Sequence, residues 1–136
     1  AGFMSGLPAE FLAVVQPAAI PCRTNSVFEV NSLDGTEYTV NKVYELRDKF
    51  FLLSRPEIFG DWDSATYKDG ERLEYYEGLT NTERIKYDAA GSARYCWLRS
   101  PYPGHAYNER HVCTDGSLYS NGAVYASGVA PACIIA

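Results

Sequence analysis

His105, His111 and Cys113 lie within one stretch of nine residues, so metal ligation is the first chemistry to weigh. A zinc site needs three or four such ligands at characteristic spacings. No fourth ligand follows here, and no pair among Cys22, Cys96, Cys113 and Cys133 has Cys-x-x-Cys spacing, which also argues against a zinc ribbon or a thioredoxin-type site. The expectation is no metal and no cofactor. The thiols read as buried or incidental, while disulfides stay open because spacing does not assign them. Nucleophilic chemistry would fall to Cys96, Cys113 or Cys133, but nothing beside them in sequence lowers a thiol pKa. No catalytic residue is expected.

Binding chemistry is better supported. The chain carries 11 tyrosines. Between about Gly104 and Gly128 they are interleaved with small polar residues, giving the candidate binding set His105, Tyr107, Asn108, His111, Cys113, Tyr119, Ser120, Asn121, Gly122, Val124, Tyr125 and Ser127. Rigid aromatics supply contact area at low entropic cost, and Ser, Asn and Gly supply adaptable hydrogen bonds. The plain alternative is ordinary sheet tyrosines. His105, Tyr107, Asn108, His111, Tyr119, Asn121, Val124 and Tyr125 are expected mostly on one exposed face. Trp97 and Ile134 are expected in the core, with Arg99 bonding loop carbonyls or a carboxylate.

The surrounding elements follow from periodicity and punctuation. Pro8 to Val15 reads as a short amphipathic helix ended by Pro17 and Pro21. Val27–Asn31 and Tyr38–Val43 read as a hairpin around Asp34-Gly35. Phe50 to Leu53 reads as a buried strand, and Ser54 with Glu57 as a capping box. Gly60 to Gly70 reads as a loop and Arg72 to Tyr76 as helical; Thr80 with Glu83 opens a helix through Tyr87. Tyr95 to Leu98 reads as a strand ending at Ser100-Pro101. Asp115-Gly116 turns between Arg110–Thr114 and Ser117–Tyr119, and Ala132 to Ile135 makes a last buried strand. Helices early and antiparallel strands late predict a single α+β domain over 1–136, with residues 1–26 as a lead-in helix and linker.

Composition excludes several classes. Hydrophobic residues are 46% and charged residues 21% of the 136, enough for a core and too few charges for disorder. Net charge is −5, yet beyond Ala89 three arginines face two carboxylates, a local balance of +1. That is no basic stripe, so no nucleic-acid partner is expected. No apolar run is long enough to span a membrane, so direct membrane insertion is not expected. Ala1 to Leu7 lack the features of a signal peptide, and the missing initiator Met is compatible with a piece of a longer protein.

Three ordered motifs stand out: Trp97-Leu98-Arg99-Ser100-Pro101, Thr114-Asp115-Gly116-Ser117-Leu118 and Gly128-Val129-Ala130-Pro131-Ala132. With Phe51-Leu52-Leu53-Ser54, Glu57-Ile58-Phe59-Gly60 and Arg84-Ile85-Lys86-Tyr87, the region from about Val27 to Ile135 resembles a family of bacterial and phage proteins. Those proteins have a C-type-lectin-like fold, related to that of formylglycine-generating enzymes. Some members are variable proteins of diversity-generating retroelements, in which adenine-directed mutagenesis randomises Asn-type codons. Two departures are Cys96, where relatives often have Trp, and Ala130, where they often have Arg. Asn-codon randomisation cannot yield Trp, Met, Gln, Lys or Glu, and between His105 and Ser127 such a residue occurs once, at Glu109.

The resemblance implies short helices packed on antiparallel strands with long loops, and a diversified surface over 104–128. It implies recognition of a protein or glycan ligand on a cell surface, from a phage tail, a bacterial surface or a secreted protein. A fixed-sequence lectin-like adhesin is the neighbouring reading, and a formylglycine-generating-type enzyme the reading from another class. A calcium-dependent lectin is not expected, because the Glu-Pro-Asn and Trp-Asn-Asp tripeptides are absent and late carboxylates are scarce.

Overall fold

The computed structural model describes residues 3–30, 33, 37–63, 68–103, 105 and 107–136, with side chains outside 24–30 and 37–42. A 3-10 turn at Phe3–Gly6 leads to α1 (Ala9–Val14). Pro8 stands at its N-cap, where a missing N–H costs nothing. Val15 then turns extended and opens β1 (Val15–Gln16). Next come β2 (Ala18–Val30) and β3 (Glu37–Asp48), an antiparallel hairpin whose register is irregular between Thr24 and Val27. The strand therefore begins at Ala18, inside the segment expected to be linker. Ala18, Ile20 and Cys22 alternate inward and form a small core cluster with Phe51. The Asp34-Gly35 turn lies outside the described residues.

Both capping boxes form. Ser54 accepts from the Glu57 backbone while the Glu57 carboxylate accepts from Ser54 N–H at 2.9 Å, opening α2 (Arg55–Phe59), which Gly60 ends in the left-handed region. Thr80 and Glu83 open α3 (Asn81–Arg84). This helix stops short of Tyr87 because Lys86 and Tyr87 pair instead with Arg94 and Ala93, as β5 (Lys86–Tyr87) and β6 (Ala93–Arg94). Helix near Arg72–Tyr76 is reduced to a 3-10 turn at Glu74–Tyr76. The expected strand at Phe50–Leu53 is the two-residue β4 (Phe51–Leu52), half-buried rather than buried.

The largest late element is a three-stranded antiparallel sheet of β7 (Cys96–Pro101), β8 (Asn108–Val112) and β9 (Leu118–Gly122), with β8 central. Strand β7 runs through Ser100-Pro101, where the sequence suggested it would stop, with a register shift between Trp97 and Pro101. Asp115 closes the β8–β9 turn by accepting from Ser117 N–H at 2.9 Å. Gly116 is required there: its φ is +81°, and a Cβ would meet the Asn81 carbonyl oxygen at 1.7 Å, so the turn seats against α3.

The principal core lies under this sheet and contains Ile58, Tyr76, Cys96, Leu98 and Val112. The C-terminal strand splits in two: β10 (Pro131–Ala132) pairs with β4, and β11 (Ile134–Ile135) pairs with β1. Ile134, expected in the core, is 49% exposed. The two-residue β1–β11 ladder buries Val15 instead, leaving Ile134 at the rim of a cleft with Ala18 and Leu73. Trp97 is likewise half-buried rather than a core residue, because the neighbours Cys96 and Leu98 on β7 take the inward positions. The architecture is α+β, with short helices in the first two thirds and antiparallel ladders throughout. Among the described residues no helix is long and apolar enough to cross a membrane.

Candidate ligand-binding surface

An internal polar frame fixes the late sheet. Arg99 sends Nε to the Pro21 carbonyl at 3.1 Å and one terminal nitrogen to the Leu52 carbonyl at 2.8 Å and Glu57 at 2.6 Å. The other terminal nitrogen reaches Glu57 at 2.5 Å and the Asp69 carbonyl at 2.7 Å. All five guanidinium donors are thus engaged. The expected carboxylate is Glu57 and the expected loop carbonyl that of Asp69, while the Pro21 and Leu52 carbonyls lie on β2 and β4. Ser100 donates to Asp69 and accepts from the Arg55 backbone N–H at 2.8 Å. Asp63 gathers Arg55, Arg110 and Arg23, and Arg23 also donates to the Pro101 carbonyl at 2.6 Å. These contacts tie the hairpin, α2, the loop before residue 70 and β7–β8 into one frame.

On β7, β8 and β9, register and alternation set Trp97, His111 and Tyr119 in a row on one side, with Cys96, Val112 and Leu118 turned to the core. The Trp97 and His111 ring centroids lie 5.4 Å apart, Tyr95 and His111 5.1 Å, and His111 and Tyr119 6.2 Å. At the far end of the sheet, Ala123 N–H donates to the Tyr107 carbonyl at 2.9 Å, joining the two loops that flank β8 and β9. The chain then returns to the outer edge of β7, where Gly128 exchanges hydrogen bonds with Tyr95 and Trp97.

The candidate residues divide. Tyr107, Tyr119, Val124 and Tyr125 are 68, 66, 90 and 60% exposed, and His105 and Asn121 are exposed as well. Asn108, Ser120, Gly122 and Ser127 are half-buried, and the first three of these alternate toward the side of Arg110 and Val112. Cys113 sits at the opposite end of the sheet, where its N–H donates to Ser117 in the Asp115-Gly116 turn, and it is not brought to the others. His111 departs most from expectation: it is 2% exposed because Tyr95, Trp97 and Tyr119 close around it. Among the described residues neither of its ring nitrogens has a hydrogen-bond partner, and burial alone holds its pKa below the ordinary histidine value. Gly104 and Ala106 lie outside the described residues.

Two residues absent from the sequence-derived set complete the surface. Trp97 and Glu109 line a cleft of about 330 Å³ with Leu52, Leu98, Arg99 and Ala123. Burial pushes the Glu109 carboxyl up to about 7; the positive charge of Arg23 pulls it down and Asp69 raises it further. The signal was present in the sequence, since Glu109 is two residues from His111 in a strand and so shares its side. Thiol chemistry gains nothing from the geometry. Burial raises the Cys96 and Cys22 pKa values above the ordinary thiol range, which favours the unreactive protonated form. All four cysteines are free, and no cluster of three or more His, Cys, Asp or Glu that could hold a metal occurs among the described residues.

No curated protein and no solved structure matches the chain. A family profile described as Domain of unknown function (DUF6273) matches residues 1–136, and the chain belongs to that family.

Proposed function

We propose that this is a ligand-binding domain of C-type-lectin-like fold that recognises a protein or glycan on a cell surface through its late sheet and loops, without metal and without catalysis. The observation that carries the reading is the exposure of Tyr107, Tyr119, Asn121, Val124 and Tyr125 along the late sheet and its loops, on a frame locked by Arg99 and Asp63; Tyr119 and Asn121 share the side of His111, whereas Val124 and Tyr125 pack over Gly122 toward the other. Rigid rings among small polar residues are what recognition surfaces use. The resemblance of the Trp97–Pro101, Thr114–Leu118 and Gly128–Ala132 motifs extends the proposal: the surface is diversified by a retroelement, and the protein acts on a phage tail, on a bacterial surface or after secretion.

Probing arrays of surface glycans and surface proteins tests binding. A true ligand should lose affinity by about 1 kcal/mol or more on Tyr107→Ala or Tyr125→Ala. Binding should also survive excess chelator, because the late segment has only Glu109 and Asp115 as carboxylates, and Asp115 is held by Ser117. Loss of binding on chelation, restored by calcium, would replace the proposal with a sugar-binding lectin. Retroelement origin is tested separately by the neighbouring DNA. A near-copy of the final coding segment, differing at adenines and accompanied by a reverse transcriptase gene, is expected. If neither is found, the fixed-sequence adhesin is the better account.

A further inference from the structure

We propose that the cleft between Trp97 and Glu109 receives a protonated alkylamine, as carried by a lysine side chain, within the ligand that occupies the proposed binding surface. The inference rests on the reading of that surface as a binding site and names the chemistry of one anchor point.

The cleft is about 330 Å³, with apolar walls from Leu52, Leu98 and Ala123 and the indole of Trp97 on one side. Its two charged residues differ in availability. Arg99 has spent all five donors, two of them on Glu57, so its charge is matched and it has no N–H to offer. Glu109 is half-buried, and no hydrogen-bond donor among the described residues reaches it. Arg23 exerts the favourable charge on it, but its guanidinium is committed to the Pro101 carbonyl and to Asp63. Asp69 repels it, and is itself held by Ser100. The result is one carboxyl group with no protein hydrogen bond among the described residues, facing a cleft whose other walls are apolar or aromatic apart from the fully engaged Arg99.

That arrangement discriminates among ligand chemistries. An anion meets Glu109 with no donor to compensate. A divalent cation needs six or so oxygen ligands, and the cleft supplies one carboxylate. A bare array of sugar hydroxyls requires several donors and acceptors, which these walls lack. An alkylammonium satisfies each surface at once. Its charge meets the carboxylate, its polarised C–H groups meet the indole face, and its methylenes cover the leucines. The charge of the cation opposes the burial that raises the Glu109 pKa, so binding and deprotonation are linked.

The test uses the whole chain and simple probes. Butylammonium is titrated while the Trp97 indole N–H and the Glu109 carboxyl carbon are followed by NMR, with butanol as the neutral isostere. The expected result is saturable movement of the Trp97 signal and a fall in the Glu109 pKa of about one unit or more. Butanol should leave that pKa in place, and Glu109→Gln, checked for an unchanged spectrum elsewhere, should weaken amine binding at least about tenfold. Equal binding of butanol, equal binding by the Gln variant, or no saturable response at Trp97 overturns the proposal. The wider reading is judged by another measurement: a surface ligand captured in a Tyr107-dependent, Glu109-independent manner would sustain the tyrosine surface while removing the amine anchor.

Discussion

At the scale of single residues, two ionisable groups sit beside each other on β8 in environments that oppose their charged forms. Glu109 has a folded-state pKa of about 7, above the ordinary carboxylate value. Between that ordinary value, about 4.3, and pH 7, the folded state keeps a proton that the unfolded chain has released. Stability from this group is therefore full at acid pH and is lost as pH rises through that window. His111 works in the reverse sense. Its folded pKa is lowered by burial, so stability is full above the unfolded value near 6.5 and is lost as pH falls below it. Glu109→Gln should flatten the alkaline loss and be more stable than the parent at pH 8, with the advantage gone near pH 4. His111→Phe should flatten the acid loss. Urea midpoints from pH 4 to 8 for the parent and both variants check this; parallel curves for parent and Gln variant would mean that Glu109 titrates as a solvated carboxylate. A carboxyl group kept desolvated at a cost in stability is the sort of feature that binding sites retain.

At the scale of elements, what holds β7 to the rest of the fold is largely one guanidinium. Arg99 bridges carbonyls of the hairpin, of β4 and of the loop at Asp69 while pairing with the largely buried Glu57 carboxylate, which also caps α2. Removing it leaves Glu57 uncompensated, so Arg99→Met should cost about 3–5 kcal/mol. Arg99→Lys should recover little, since a point charge cannot reproduce five directed bonds. Pairing Arg99→Met with Glu57→Gln should cost less than the sum of the two single losses. Additive denaturant-derived losses would show that the pair is not coupled. The same network explains which elements the sequence disclosed. Caps and turns are local chemistry, and Ser54–Glu57, Thr80–Glu83 and Asp115-Gly116 were legible because each motif stabilises itself. The start of β2 at Ala18 and the splitting of the last strand depend on partners 30 to 120 residues away, as in Ala18 with Asp48 and Val15 with Ile135, and the end of α3 at Arg84 depends on a pairing with β6 that helical periodicity does not show. Periodicity carries no record of such partners. The burial of His111 was hidden for the same reason: three rings from separate strands and loops close over it.

At the scale of the whole molecule, the chain separates what keeps it folded from what it presents. Ile58, Cys96, Leu98 and Val112 form the principal core, Ala18, Ile20 and Cys22 form a second, and the Arg99 and Arg23 networks join the two. Tyr107, Tyr119, Val124 and Tyr125 belong to neither cluster. Truncating a residue costs stability in proportion to the packing it gives up, and a side chain more than half exposed gives up little. Ile58→Ala should therefore destabilise by about 2–5 kcal/mol, whereas Tyr107→Ala and Tyr125→Ala should stay within about 0.5 kcal/mol of the parent. Trp97→Ala should fall between, because its ring is half-buried and leans on His111 without entering the core. Denaturant melts followed by fluorescence and by far-ultraviolet dichroism should coincide for every variant, since the polar bridges make the two cores unfold together. A large loss at Tyr107 and Tyr125 together would make those rings structural. They could then no longer be read as a face free to vary, and the proposed binding surface would have to contract to the Trp97–Glu109 cleft.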